Sequence, residues 1–211
     1  MTTQQLVTAV MIYVVAFGSL AVVAVSYASG RLPRWVGMVY LLSLAVCVFG
    51  WELWISAGLV DGLPVDMRRP EVMSRAVPAW INWLTNSLGD AGVVCMPGLA
   101  MVWLAYGRSN KAFERWHWGA FALLFTWFMA QNVFIETVVY HEQVSAGFRL
   151  SWGPMMPGGP WFNPTLFELG GRPVQLQTQS PWLLMTPLFY WITIACYRRW
   201  GGSNSGGAQP S

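Results

Sequence analysis

Long apolar runs alternate with short polar links along this chain. Five runs approach or exceed the roughly 20 residues a helix needs to cross a hydrocarbon layer. They cover residues 6–28, 36–59, 79–106, 116–140 and a shorter stretch at 181–197. None shows the strict alternation of a half-buried strand, so each reads as a helix. The pattern predicts an all-α membrane protein, a bundle of five transmembrane helices forming one domain over residues 1–200. The Gly/Ser-rich stretch 201–211 reads as a disordered cytoplasmic tail. The first run reads as a retained helix, because residues 1–5 carry no charged side chain and the run outlasts a signal-peptide core.

Composition supports the same class. The 211 residues are 55% hydrophobic and only 10% charged, against about 25% charged in soluble domains. That excludes an ordinary soluble globule, and the apolar content excludes a disordered chain. A net charge of +3, scattered along the chain, excludes a nucleic-acid footprint. The short links and the C-terminal flank hold Arg31, Arg34, Arg108, Lys111, Arg115, Arg198 and Arg199. The longer loops on the other side hold Arg68, Arg69, Arg75, Arg149 and Arg172, accompanied by Asp61, Asp66, Glu71, Glu142 and Glu168. The excess of basic residues in short links predicts an N-terminus outside and a C-terminus inside, as in a multi-pass protein of a bacterial inner (cytoplasmic) membrane. Trp35, Trp80, Trp116, Trp182 and Trp200 fall near span ends, where an interfacial aromatic belt is expected. Cys47, Cys95 and Cys196 lie inside spans and read as small buried hydrophobes.

Three acids fall within the spans: Glu52, Asp90 and Glu136. A charge at the bilayer centre costs about 2.5–3.5 kcal/mol on insertion scales, which makes such residues functional candidates by default. At 1.5 Å per residue they lie about 10, 16 and 6 Å below the outer boundary. On the third span Asn82, Asn86 and Asp90 follow i, i+4, i+8 spacing and share a face, with Trp83 at its edge. On the fourth, Asn132, Glu136 and Tyr140 repeat the spacing, and Gln131 adjoins. Trp51-Glu52 supplies the second span. These residues predict one polar pocket in the outer half of the bundle with Asp90 at its floor. Glu52 and Glu136 are its other candidate acids; Asn82, Asn86, Gln131, Asn132, Tyr140, Trp51 and Trp83 are its candidate ligand contacts. The competing reading is that the amides only link helices, at about 0.6 kcal/mol each.

The loop at 141–180 is too long for a connector. Its Pro/Gly-rich first part predicts a defined extracytoplasmic cap, and Leu166-Phe167-Glu168-Leu169 and Val174-Gln175-Leu176-Gln177 around Gly170-Gly171 predict a small β-hairpin. Residues 60–77 form the second outer loop, and the two loops are placed to roof the pocket or to dock a partner subunit. His117 and His141 lie at opposite ends of the fourth span and cannot share a metal. His141-Glu142 beside Glu136 is a weak divalent-ion arrangement, and neither metal nor cofactor is expected. No nucleotide-binding glycine motif or nucleophile elbow occurs.

A deep carboxylic acid in an aromatic-lined, water-poor site suits proton donation to a carbon–carbon double bond, with aromatic faces stabilising the carbocation. Gly50-Trp51-Glu52-Leu53 and Leu88-Gly89-Asp90-Ala91-Gly92-Val93 resemble the small integral-membrane terpene cyclases, which carry a Trp-Glu pair in an early helix and start polyene cyclisation with membrane-embedded acids. The likeness covers about a quarter of the chain, which departs from that family in having five spans rather than seven and a long Pro/Gly-rich outer loop. The span count, and an acid on one helix facing Gln131, Asn132 and Glu136 on another, is also similar to the sterol isomerase and sigma-2 receptor superfamily. Both resemblances imply a lipid-like small-molecule substrate, with roles carried over to Glu52 and Asp90. The expectation is a membrane-embedded enzyme of isomerase or cyclase type acting on an isoprenoid or other lipid. The alternative is a non-catalytic subunit of a larger complex with partner membrane subunits, or a proton- or cation-linked carrier. Five spans without an inverted repeat weigh against transport.

Overall fold

The computed structural model describes residues 1–58, 64–139 and 164–204. Helix α1, Thr3–Ala28, opens on a capping box: the Thr2 hydroxyl accepts from the Gln5 amide at 3.2 Å, and the Thr2 amide donates to Gln5 Oε1 at 2.8 Å. The two bonds satisfy donors that a helix start leaves without partners. Leu6, Val7, Val10, Val14, Phe17, Val22 and Val25 all lie exposed along α1. The side of this helix that no other element covers is thus apolar.

Four helices are long and apolar enough to cross a membrane: Thr3–Ala28, Arg34–Ala57, Ala79–Ala105 and Trp118–Val138. Three of the four are interrupted. The second is broken at Gly50 into α2, Arg34–Phe49, and α3, Trp51–Ala57. A Cβ on Gly50 would sit 2.4 Å from the Val46 carbonyl oxygen, so the turn accepts only glycine without main-chain movement. The two short helices α4, Val65–Arg68, and α5, Glu71–Ala76, precede the third span. That span runs as α6, Ala79–Gly89, a π-helical segment Asp90–Cys95, and α7, Met96–Ala105. Pro97 explains the wide turn: it brings no N–H to the Val93 carbonyl four residues back, and its ring crowds that oxygen. After α8, Lys111–Glu114, comes α9, Trp118–Phe134, which passes into a second π-helical segment, Ile135–Val139. There Thr137 Oγ1 donates to the Val133 carbonyl at 2.7 Å, a local bond that competes with the α-helical pattern.

The fifth predicted span differs from expectation. Its helix, α10, begins at Leu176 rather than 181 and runs to Trp200. It is 25 residues long, yet it is not among the helices apolar enough to cross a membrane. The reason is its position. α10 packs against α2 and α9, and Pro181, Trp182, Met185, Thr186, Phe189, Tyr190 and Thr193 are all buried. The polar residues that lower its hydropathy, among them Gln177, Thr178, Gln179, Thr186 and Thr193, face the protein interior, while Leu184, Leu188 and Trp191 are exposed. Its core contacts are aromatic: Phe128 meets Trp182 at 5.1 Å and Phe189 at 5.4 Å, and Trp35 meets Tyr197 edge-on at 5.3 Å. Trp35 and Trp182 are therefore core residues rather than belt residues, whereas Trp80 is exposed.

The predicted hairpin is present, with its second strand two residues earlier than expected. β1, Thr165–Leu169, pairs antiparallel with β2, Arg172–Gln175, while Leu176 and Gln177 already belong to α10. Gly170 and Gly171 both take positive φ, 59° and 75°, as a two-residue type I′ turn requires. The Pro/Gly-rich cap, Tyr140, His141 and Glu142, and all but the first residues of the C-terminal tail lie outside the described residues. Residues 201–204 form a short 3-10 turn.

Candidate functional site

Each acid within the long apolar helices sits at a helix irregularity. Glu52 is the second residue after the Gly50 break, Asp90 opens the first π-helical segment, and Glu136 is the second residue of the other. Such wide turns recur at functional sites, because they redirect side chains and loosen the backbone pattern.

Two of the three acids share a cavity of about 320 Å³. Its polar lining is Glu52, Asn86, Asp90, Gln131, Asn132, Thr85 and Thr178. Its apolar wall comes from Met11, Ile12 and Val15 of α1, from Val93 and Val94, and from Trp51, Trp127, Phe134, Ile135, Pro181 and Trp182. The Trp51 indole donates to Asp90 Oδ2 at 2.9 Å, and its ring lies 5.4 Å from that of Trp182. The carboxyl is thereby held by one helix while its backbone belongs to another. Glu52 is buried. The Gln131 amide donates to the Phe128 carbonyl at 2.8 Å; its Oε1 is buried and, among the described residues, has no hydrogen-bond partner. An unpartnered acceptor costs about 1–3 kcal/mol where water is absent, so this oxygen is a place for a ligand donor. None of the described lining residues is basic.

The remaining predicted site residues lie elsewhere. Glu136 is buried just behind the cavity lining, bonded to the lining residue Thr178. Its Oε1 accepts from the Thr178 hydroxyl at 2.8 Å and its Oε2 from the Gln179 amide at 2.5 Å. Asn132 Nδ2 donates to the Thr178 carbonyl and to Gln179 Oε1, both at 2.9 Å. A carboxyl at the open N-terminal end of α10 is favourably placed against the helix dipole, and here it fixes where that helix starts. Asn82 is also off the cavity: its Oδ1 accepts from Arg69 at 3.0 Å, and its amide meets Ser56 Oγ at 3.4 Å. Trp83 donates to the Val48 carbonyl at 2.8 Å, near the end of α2. Tyr140 lies outside the described residues.

Arg69 is the residue that sequence reasoning missed. It was expected in a solvated outer loop, yet its side chain is fully buried. It donates to Asp66 Oδ1 at 2.8 Å, to Ser74 Oγ at 3.2 Å, to Asn82, and to the Val77 carbonyl. The available signal was Asp66 three residues earlier and a polar Asn82 at the top of the next span. Around this clasp Met73 and Val77 of the loop close on Ala9 and Ile12 of α1, forming a second apolar cluster. Ile12 belongs both to that cluster and to the cavity wall.

Among the described residues no group of three or more His, Cys, Asp and Glu is placed to hold a metal ion. The cysteines are free and buried. Comparison with family models, curated proteins and solved structures returns no match to this chain.

Proposed function

We propose that this chain is a multi-pass membrane protein, with α10 as a fifth span and the N-terminus outside, that performs acid–base chemistry on a lipid-soluble substrate. The observation that carries the reading is the cavity itself, in which Asp90 and Glu52 meet a wall of tryptophan and aliphatic side chains. Its volume of about 320 Å³ falls at the low end of small-molecule pockets, about 300–1,000 Å³. That fits a small amphiphile or one segment of a longer isoprenoid better than an entire sterol-sized body.

In this reading the reaction is an isomerisation or cyclisation. A protonated Asp90 carboxyl forms a C–H bond at one alkene carbon, leaving Asp90 as carboxylate and the substrate as a cation. The faces of Trp51, Trp127 and Trp182 stabilise that cation. A second carboxyl group, Glu52, then removes a proton from a neighbouring carbon, and the pair exchanges the proton before the next turnover. Trp51 orients Asp90, while Glu136 and Asn82 hold the frame.

The test is turnover of isoprenoid alcohols by protein in lipid nanodiscs, followed by mass spectrometry of products. Asp90→Asn and Glu52→Gln should each abolish conversion while the variants remain monodisperse. Unchanged conversion by Asp90→Asn would sink the reading.

One observation favours a second reading, a subunit of a larger membrane complex. Leu166, Phe167 and Leu169 of β1 are all about half exposed. Apolar side chains on a hairpin outside the bundle suit a partner protein, and co-purification that is lost on replacing Phe167 with Lys would select that reading.

A further inference from the structure

The cavity is polar in its depth and apolar at its edge, and the two ends are closed differently. Towards the 64–78 segment, Ser56 and Asn82 lie one helical turn beyond Glu52 and Asn86, and Asn82 is taken up by the buried Arg69. Met73 and Val77, 1% and 0% exposed, complete that plug against Ile12. Towards the side, three residues of the cavity wall are exposed although apolar: Met11 at 36%, Val93 at 41% and Phe134 at 56%. They stand on α1, on the π-helical segment and on α9, so the gap between these elements faces the same solvent as the bare faces of the helices. For a chain whose helices suit hydrocarbon, that solvent is lipid.

The geometry points to a lateral opening between α1 and α9 through which an uncharged single-chain amphiphile enters from the bilayer. Its hydroxyl or amide head reaches Gln131 and Asp90, and its tail lies past Met11 and Phe134. This inference rests on reading the cavity as a ligand site and adds the route and the class of ligand.

The head follows from the lining. Two carboxyl groups, with no basic side chain among the described lining residues, repel an anionic head. A charged head of either sign must also leave water, which costs far more than moving a hydroxyl. A hydroxyl supplies the donor that Gln131 Oε1 lacks and an acceptor in addition. The tail follows from the rim, where every contact is a hydrocarbon or aromatic surface. A void of about 320 Å³ takes the head and the first carbons of one chain.

The experiment is native mass spectrometry of the full chain released from lipid nanodiscs containing dodecanol, dodecanoate or dodecyltrimethylammonium at equal mole fraction. The parent protein should bind one dodecanol, and both charged probes should bind at least about tenfold more weakly: dodecanoate meets two carboxyl groups and no cation among the described lining residues, the trimethylammonium head carries no N–H for Gln131 Oε1, and each must leave water at a cost of several kcal/mol. Met11→Trp and Phe134→Trp fill the opening and should each weaken dodecanol by about tenfold, equivalent to about 1.4 kcal/mol. Leu184→Trp is the control: Leu184 is 73% exposed on α10, away from the cavity, and its replacement should change nothing. Charged probes that bind as well as dodecanol overturn the headgroup assignment. Rim variants that bind dodecanol like the parent, while Asp90→Asn still abolishes it, overturn the lateral route and leave the cavity standing as a ligand site. Failure of every probe to bind the parent, with the lipid turnover of Asp90→Asn unchanged, removes the ligand site and this inference together.

Discussion

Replacing Arg69 with Met tests the link between the outer segment and the bundle. The guanidinium is fully buried and donates to the Asn82 side chain, the Val77 carbonyl, Ser74 and Asp66. Methionine keeps most of the volume and none of the donors. Asn82 and Val77 are 3% and 0% exposed, so each loses a donor where water cannot replace it, at about 1–3 kcal/mol apiece. Asp66 is different: its side chain is 41% exposed, and losing a partially solvated ion pair adds at most about 1 kcal/mol. The expected loss is about 4 kcal/mol, in the range for breaking one side of a buried pair. It should be local. Hydrogen exchange should rise over α4 and α5 and at Tyr13, whose hydroxyl donates to the Ala76 carbonyl at 2.8 Å, while α10 stays protected. Adding Asn82→Leu should recover about 1–3 kcal/mol, because removing both buried polar groups is far cheaper than orphaning one. The assay is denaturant unfolding in detergent with exchange read by mass spectrometry. A single variant with parental stability and unchanged exchange would refute the reasoning, as would a double variant worse than the single.

Three further outcomes follow from single contacts. Gly92→Ala should loosen α1 from the third span, because a Cβ there would sit 2.3 Å from Ser19 Oγ and 2.5 Å from Ser19 Cβ; adding Ser19→Gly should restore thermal stability, since the nearest main-chain atom is 3.6 Å away. Trp51→Phe keeps the ring beside Trp182 and deletes the indole N–H at 2.9 Å from Asp90; the carboxyl stretching band of Asp90 in infrared spectra should shift, with a stability loss of about 0.5–1.5 kcal/mol for a bond to a neutral carboxyl, and an unshifted band would dissociate the two residues. Glu136→Gln removes a group whose two oxygens each accept a side-chain bond from α10; exchange should increase over residues 176–179 first, and an effect confined to the cavity lining would contradict its assignment as a latch.

Four of the five predicted runs were legible as helices long and apolar enough to cross a membrane, because length and composition are written directly in the sequence, and α1 shows this in its simplest form. The fifth helix was legible as a run but misplaced at its start. Its first turn depends on Glu136, Asn132 and the hairpin, which are contacts between distant parts of the chain. The hairpin turn was legible because positive φ at two consecutive residues calls for glycine. Asn86, Asp90, Gln131, Asn132, Glu52 and Trp51 were read as one pocket from helical spacing, and they line one cavity. Asn82 and Glu136 obeyed the same spacing and ended elsewhere. Asn82 was claimed by Arg69, a residue whose burial no periodicity announces. Glu136 does share a face with Asn132, since both reach Thr178 and Gln179, but it stands one turn further along the helix, where the start of α10 takes up both its oxygens.

The irregularities connect these outcomes to the tryptophan content. A break inside an apolar helix leaves backbone groups that lipid cannot satisfy. Near the Gly50 break the Val48 carbonyl accepts from the Trp83 indole at 2.8 Å, and in the first π-helical segment the Val94 carbonyl accepts from Trp127 at 2.9 Å. Trp51, beside the same Gly50 break, gives its N–H to the carboxyl of Asp90 instead. Indoles are apolar bodies with one donor, so they can fill a helix interface and still pair with a backbone or carboxyl oxygen. Breaking the helices turns Glu52 and Asp90 towards a common void; the tryptophans give the main-chain groups near those breaks partners that apolar neighbours cannot. Their abundance, which in composition reads as packing and lipid contact, is in this part of the fold the means by which an apolar bundle keeps a polar centre.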